Sequence, residues 1–172
     1  MITATGVGFI EMRISKVVGL RAAEDDSFEC IVLDELGGDR HLVIQVGSSE
    51  AFSLAATLGG IEWGRPMTYQ FIVGLVESLG GRVCQVRIDR LDAGAYAATV
   101  ELEGPLRAGL VDARSSDALN LAALADAAIF VAPEVLEDCE RRRRGDSAEA
   151  AFLRRALELP PMTIGRAQPS DP

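Results

Sequence analysis

A chain of 172 residues, 48% hydrophobic and 25% charged, suits one domain with a single buried core. It has no run near the roughly 18 apolar residues of a membrane span, and MITATGVGFIEMRI lacks the pattern of a signal peptide, so a cytoplasmic protein is expected. The net charge of −9 is uneven: residues 1–140 carry 10 basic and 22 acidic side chains, residues 141–172 carry 7 and 4, and the acidic body should repel nucleic acid.

FIEMRISKVVGL (9–20) and FECIVLDEL (28–36) read as strands joined by the acidic loop AAEDDS, and RHLVIQV (40–46) follows the turn GGD. Apolar runs separated by turn residues predict an antiparallel meander. SSEAFSLAATLGG predicts a helix, with Ser48 or Ser49 as N-cap, Glu50 in the first turn and Gly59 at the end. MTYQFIVGLVESLGG predicts a second, because Phe71, Leu75, Val76 and Leu79 recur at helical spacing and Gly80-Gly81 stops the run.

RVCQVRIDRL (82–91) alternates like a half-buried strand, AYAATVEL follows the turn DAG, and LRAGLVDA follows GP. A helix over 115–125, a short buried strand AIFVA and a helix opening at Pro133 complete the order. Strands in runs, instead of alternating with helices, predict an α+β fold with mostly antiparallel sheet and helices packed against it. The three cysteines, Cys30, Cys84 and Cys139, form no CxxC pair and read as reduced thiols. His41 is the one histidine and reads as a packed or surface residue of its strand.

The expected domain covers 1–138, with a helical extension over 139–159 and a flexible tail over 160–172. Arg141, Arg142, Arg143 and Arg144 form a run that admits two readings. As a nucleic-acid patch, they would contact phosphates. As a helix end, Glu137, Asp138 and Glu140 lie four residues before Arg141, Arg142 and Arg144, the favourable acid-first order. Gly145 then serves as C-cap, and Asp146 with Glu149 predicts a capping box for a further helix.

VDARSSDALNLAALA (111–125) concentrates the most chemistry. Asp112, Arg114 and Asp117 surround Ser115 and Ser116 at a strand-to-helix junction. Capping alone explains part of this, since Ser115 or Ser116 makes an N-cap and Asp117 suits a first turn. An Asp112–Arg114 or Asp117–Arg65 ion pair is a further structural reading.

The stretch resembles the signature of the bifunctional nuclease domain family, roughly Asp-Ala-Arg-Pro-Ser-Asp-Ala-Ile-Ala-Leu-Ala, at Asp112, Ala113, Arg114, Ser116, Asp117, Ala118, Leu121 and Ala122. RHLVIQVGSSEA is similar to a second family segment through Arg40, Leu42, Ile44, Gly47, Glu50 and Ala51. GRPMTYQFIVGLVESLGG is similar to a third through Arg65, Pro66, Thr68, Leu79 and Gly80, and AIFVAPEVLED to the typical ending. The resemblance covers roughly residues 7 to 138 and implies a nuclease acting on DNA and RNA with low sequence specificity. The departures are Tyr69-Gln70 where the family has His-Asp, and Val43 and Ser115 in place of prolines.

Phosphodiester cleavage needs an activated nucleophile, charge stabilisation on phosphate and a protonated leaving oxygen. Without that histidine, carboxylate-bound Mg²⁺ or Mn²⁺ with an arginine on the phosphate is the economical solution. The candidate catalytic residues are Asp112, Arg114, Asp117 and Glu50, with Arg65 as a second phosphate contact and the metal ligands unassigned. Trp63 reads as a surface or subunit plug, with base stacking as its alternative. Loss of His-Asp keeps a second function open, an oligomeric binding or regulatory module that does not cut. The small residues of FSLAATLGG and NLAALADAA suit close packing between copies, a dimer first.

Overall fold

Period-2 alternation and glycine turns build the predicted meanders, and one short strand joins them. The computed structural model describes residues 8–21, 27–105 and 108–164. Most of the acidic loop, the first two residues of LRAGLVDA, the first seven residues and the tail beyond 164 lie outside the described residues. The first meander is β1 (Ile10–Arg21), β2 (Ser27–Glu35) and β3 (His41–Val46), and the second is β4 (Arg82–Asp92), β5 (Ala95–Glu103) and β6 (Gly109–Arg114). Strand β7 (Ala128–Val131) lies between them, antiparallel to β1 and parallel to β4, giving one sheet in the order β3-β2-β1-β7-β4-β5-β6. With five helices packed on this mostly antiparallel sheet, the fold is α+β as expected.

Helices α1 (Ser48–Leu58) and α2 (Thr68–Ser78) follow the first meander, α3 (Ser115–Ala125) follows β6, and α4 (Pro133–Arg144) and α5 (Ala148–Glu158) close the order. Neighbouring strand residues point to opposite faces, so each parity of the first meander has its own cover. Ile31, Leu33, Leu42 and Ile44 join Ala51 and Leu54 of α1 in the main core. Val18, Cys30 and Val43 instead join Leu153 and Ala156 of α5. Burial there pushes the Cys30 thiol up to about 12, which keeps it protonated and inert.

The glycine pairs end their helices as hydrogen-bonded motifs. In α2, Gly80 at φ +75° lets its N–H reach Glu77 O and lets Gly81 N–H reach Val76 O, the Schellman pattern. In α1 the predicted Gly59 is the C-cap, and Gly60 behind it, at φ +63°, donates its N–H to Thr57 O. The predicted N-caps move. Gly47 caps α1, while the Ser48 hydroxyl donates to Glu29 at 3.0 Å. Ser147, not Asp146, caps α5 by accepting from Ala150 N–H at 3.1 Å.

The boundary expected at 138 falls inside α4, whose Cys139 belongs to the main core. The described part of the tail is fixed: Met162 N–H donates to Val17 O at 2.7 Å, and Met162 and Ile164 pack on the core. Lys16 Nζ donates to Leu157 O and Leu159 O at the end of α5. The stripe Phe71, Leu75 and Leu79 that predicts α2 faces solvent, and Tyr69 is that helix's buried residue.

The edge strands β3 and β6 stand at opposite ends of the strand order, yet their ends meet. Val46 at the end of β3 with Gly47 after it, and Arg114 at the end of β6 with Ser115 and Ser116 after it, line one pocket. The ends of the two edge strands therefore meet at a seam.

Candidate functional site

At that seam β6 runs into α3 without a loop. Arg114 is both the last residue of β6 and the N-cap of α3, with φ −68° and ψ 147°. An extended cap residue followed at once by helix brings Asp117 back under Arg114, three residues on. Arg114 Nε donates to Asp117 Oδ2 at 2.8 Å and Nη2 donates to Oδ1 at 3.0 Å. Nη2 also donates to Glu50 Oε1 at 2.8 Å, in the first turn of α1. From the first turn of α2, Tyr69 donates its hydroxyl to Asp117 Oδ1 at 2.6 Å.

The first turns of three helices thus meet around two carboxylates, which the positive helix ends favour. Gly47 makes room for this: a Cβ there would stand 2.5 Å from Glu50 Oε2. Fully buried Asn120 ties α3 to α1, its amide donating to Glu50 O at 3.2 Å and to Ser116 O at 2.9 Å.

The electrostatics leave little acid–base reserve. Burial pulls the Asp117 carboxyl up, but hydrogen bonds from Arg114 and Tyr69 outweigh it and hold the group below its ordinary value. Burial and the neighbouring Asp117 push the Tyr69 hydroxyl well above its ordinary value, so it stays a donor. Asp117 and Glu50 raise the Arg114 guanidinium, which remains charged. Near neutral pH the three hold fixed charges: anion, neutral phenol, cation.

The network heads a cleft of about 870 Å³ floored by Phe52, Met67, Ile72 and Leu121. Arg114 keeps 68% of its side chain exposed at the mouth, and its Nη1 makes no bond to a described residue.

Three of the four predicted catalytic residues, Glu50, Arg114 and Asp117, come together. Asp112 does not. It is exposed on the edge strand β6 opposite Thr99, and its side chain makes no hydrogen bond or ion pair among the described residues. Its expected pairing with Arg114 is absent because Asp117 and Glu50 take that guanidinium. Arg65 is exposed in the loop before α2, and Asp117 is not its partner. Ser115 and Ser116 are buried and do not cap α3 through their side chains. Among the described residues there is no group of three His, Cys, Asp or Glu placed to hold a metal. The two carboxylates that do converge share one guanidinium, so the arrangement does not fit a resident cation.

The arginine run follows the helix-end reading. Arg141 pairs with Asp138 instead of Glu137, Arg142 lies 3.7 Å from Asp138, and Arg144 lies 3.1 Å from Glu140. Arg142 also pairs with Glu149 and donates to the Tyr96 hydroxyl at 3.2 Å, while Arg143 makes no salt bridge among the described residues. His41 Nδ1 lies 2.9 Å from Asp34, and Trp63 packs on Phe52 with ring centroids 5.9 Å apart.

Sequence reasoning missed Tyr69 as the partner of Asp117, and missed Asn120 altogether. The signal for Tyr69 was its place at the family's histidine position, since a phenol can donate where a ring N–H would. Gln70, at the neighbouring position, accepts from Met67 N–H at 2.8 Å and so caps α2.

Comparison with known proteins agrees with the geometry. Residues 31–143, from within β2 to the last turn of α4, match the model of the bifunctional nuclease domain. Two uncharacterized proteins of Mycobacterium tuberculosis, from strains CDC 1551 and H37Rv, are each 34% identical over 121 residues, spanning 70% of this chain and 72% of the relative. The match takes in Glu50, Tyr69, Arg114 and Asp117 together, and the chain belongs to the bifunctional nuclease domain family.

Proposed function

We propose that the chain is a nuclease acting on DNA and RNA backbones with low sequence specificity, worked by Arg114, Asp117 and Glu50. The supporting observation is the Arg114 fork, clamped by two carboxylates yet open at the mouth of a cleft, in a member of a nuclease family. A rigidly held guanidinium with a free nitrogen is suited to the charge that develops on a phosphate. Asp117, held ionised, and Glu50 keep it aimed. Any Mg²⁺ or Mn²⁺ that assists would arrive on the substrate phosphates and not reside in the protein, because the two convergent carboxylates already share Arg114.

One observation favours the second reading, a binding or regulatory module that does not cut. Tyr69 closes on Asp117 at the position of the family histidine, so both oxygens of the Asp117 carboxylate are already taken. The exposed stripe Phe71, Leu75 and Leu79 supports self-association, a dimer first, and a light-scattering mass tests it.

The deciding experiment incubates purified protein with plasmid DNA and single-stranded RNA in Mg²⁺, Mn²⁺ or EDTA. Cation-dependent cleavage by the wild type that disappears in Asp117→Ala is expected. Intact substrates under all three conditions, with a gel shift still present, would replace cutting by binding. Tyr69→His, which restores the family residue, should then be the variant that gains cleavage.

A further inference from the structure

The two edges of the sheet are protected unequally. Strand β3 is buried through Leu42, Val43 and Ile44, between the core on one face and α5 on the other. Strand β6 has one neighbour among the described residues, β5, and its Leu110, Val111 and Asp112 are exposed. An edge strand turns alternate N–H and C=O groups away from its neighbour, and proteins ordinarily guard such a row with lysine, proline or a bulge. Over residues 109 to 113, β6 has none of the three: its register against β5 is unbroken, and Asp112 is its one charge.

Helix α2 runs back along this edge. Tyr69 ties its first turn to Asp117, just past the end of β6. Its C-cap Leu79 shares a pocket of about 430 Å³ with Leu102, Pro105 and Gly109, where β6 begins. Val111 lies opposite the core residue Val100, so it points to the face that carries α2. Phe71, Leu75 and Leu79 of the helix and Leu110 and Val111 of the strand all stand in solvent, Leu79 at 77% and Leu110 at 66% exposure. Apolar residues scattered singly need no partner, but five beside an open backbone edge do.

We propose that this strip is the interface between two copies of the chain, in which β6 pairs antiparallel with β6 of the second copy about a two-fold axis at Val111. The proposal rests on the self-association reading and adds the backbone that makes it. The sequence of β6 selects a second copy. Paired about Val111, Gly109 meets Ala113 and Ala113 meets Gly109, so the core face reads small, large, small in both directions. On the other face each Leu110 lies opposite Asp112 of the second copy and diagonal to its Leu110. The same axis sets Leu75 towards Leu75 and Phe71 towards Leu79 across the two α2 helices. An antiparallel edge is self-complementary in hydrogen bonding. Helix α2 and residues 109 to 113 contain no Lys or Arg, so the strip has no cation with which to select an acidic partner.

The test is sedimentation velocity and light scattering on the full chain at micromolar concentration. Wild type should be a dimer. Leu110→Lys with Val111→Lys places lysine guards on the edge and should weaken the dimer at least about a hundredfold. Both side chains are exposed, so its circular dichroism should match the wild type. Val111→Cys should form a disulfide-linked dimer under mild oxidation, since a residue on the axis faces its own copy. Leu36→Cys, similarly exposed in the turn after β2, should not. If the lysine variant stays dimeric while Leu75→Glu with Leu79→Glu is monomeric, α2 alone carries self-association and the β6 pairing is overturned. A monomeric wild type overturns self-association and pairing together. Equal crosslinking at positions 36 and 111, or a mass that grows beyond the dimer, overturns the two-fold pairing.

Discussion

The chain has two arginine clusters at helix ends, and they are held in opposite ways. Arg141 to Arg144 close α4, where cations suit the macrodipole, and their acids lie mostly within one turn. Arg114 opens α3, the end where the dipole disfavours a cation. It is stable there because Asp117 lies beneath it and Glu50 arrives from a helix 64 residues away. A charge at its favourable end is explained by local physics. A charge at the wrong end needs a tertiary reason, and in this fold that reason is the junction where two sheet edges, two pockets and three helix starts meet.

Removing the acid that holds the wrong-end arginine should have the largest effect. Asp117→Ala strands the buried Tyr69 hydroxyl and leaves Arg114 on Glu50 alone, and should cost about 2–3 kcal/mol, or about 4–9 °C in Tm for a chain of this size. A loss below about 1 kcal/mol in chemical denaturation would show that the junction is decoration. The pH dependence has a definite sign. The Asp117 carboxyl is depressed in the fold, so its contribution is complete above the ordinary value of about 4 and drains away as pH falls below it. The stability gap between wild type and Asp117→Asn should therefore narrow between about pH 5 and pH 2. Urea midpoints measured at each pH would contradict this if the gap stayed constant.

Next in size is a substitution that touches no charge. Gly47 has φ −72°, so alanine costs nothing in backbone strain, but its Cβ would sit 2.5 Å from Glu50 Oε2. Gly47→Ala should turn that carboxylate off Arg114 and lower stability by about 1 kcal/mol. In a Glu50→Ala background the same change should be nearly free. Equal costs in both backgrounds, read by thermal melts, would remove Glu50 from the explanation.

Most of the fold was legible because its signals are local. Alternation marked β4, Gly80-Gly81 marked the end of α2, and Pro133 marked the start of α4. The place of β7 was not, since four residues carry no information about which two strands they join. At the junction, proximity along the chain misled. Asp112 is two residues from Arg114 and outside its network, while Glu50 is 64 away and inside it. Ser115 and Ser116 show the same limit: their type and spacing say cap, but Arg114 takes the cap position and turns them into a buried wall. Side-chain type can be read from a sequence, but the direction it points at a strand-to-helix switch is set by the three-dimensional turn.

The smallest effects separate the residues of the arginine run itself. Arg144 is exposed and paired one turn back, so Arg144→Ala should change stability by about 0.5 kcal/mol or less. Arg142 is half-buried and leaves its own helix, pairing with Glu149 of α5 and donating to Tyr96 of β5. Arg142→Ala should cost about 1–2 kcal/mol, because it leaves a half-buried phenol and a carboxylate without their donor. Matched denaturation curves for the two variants test this. If they coincide, Arg142 belongs with its neighbours as a solvated helix end. If they separate, the run contains one arginine of the Arg114 kind, joining elements that the sequence keeps apart.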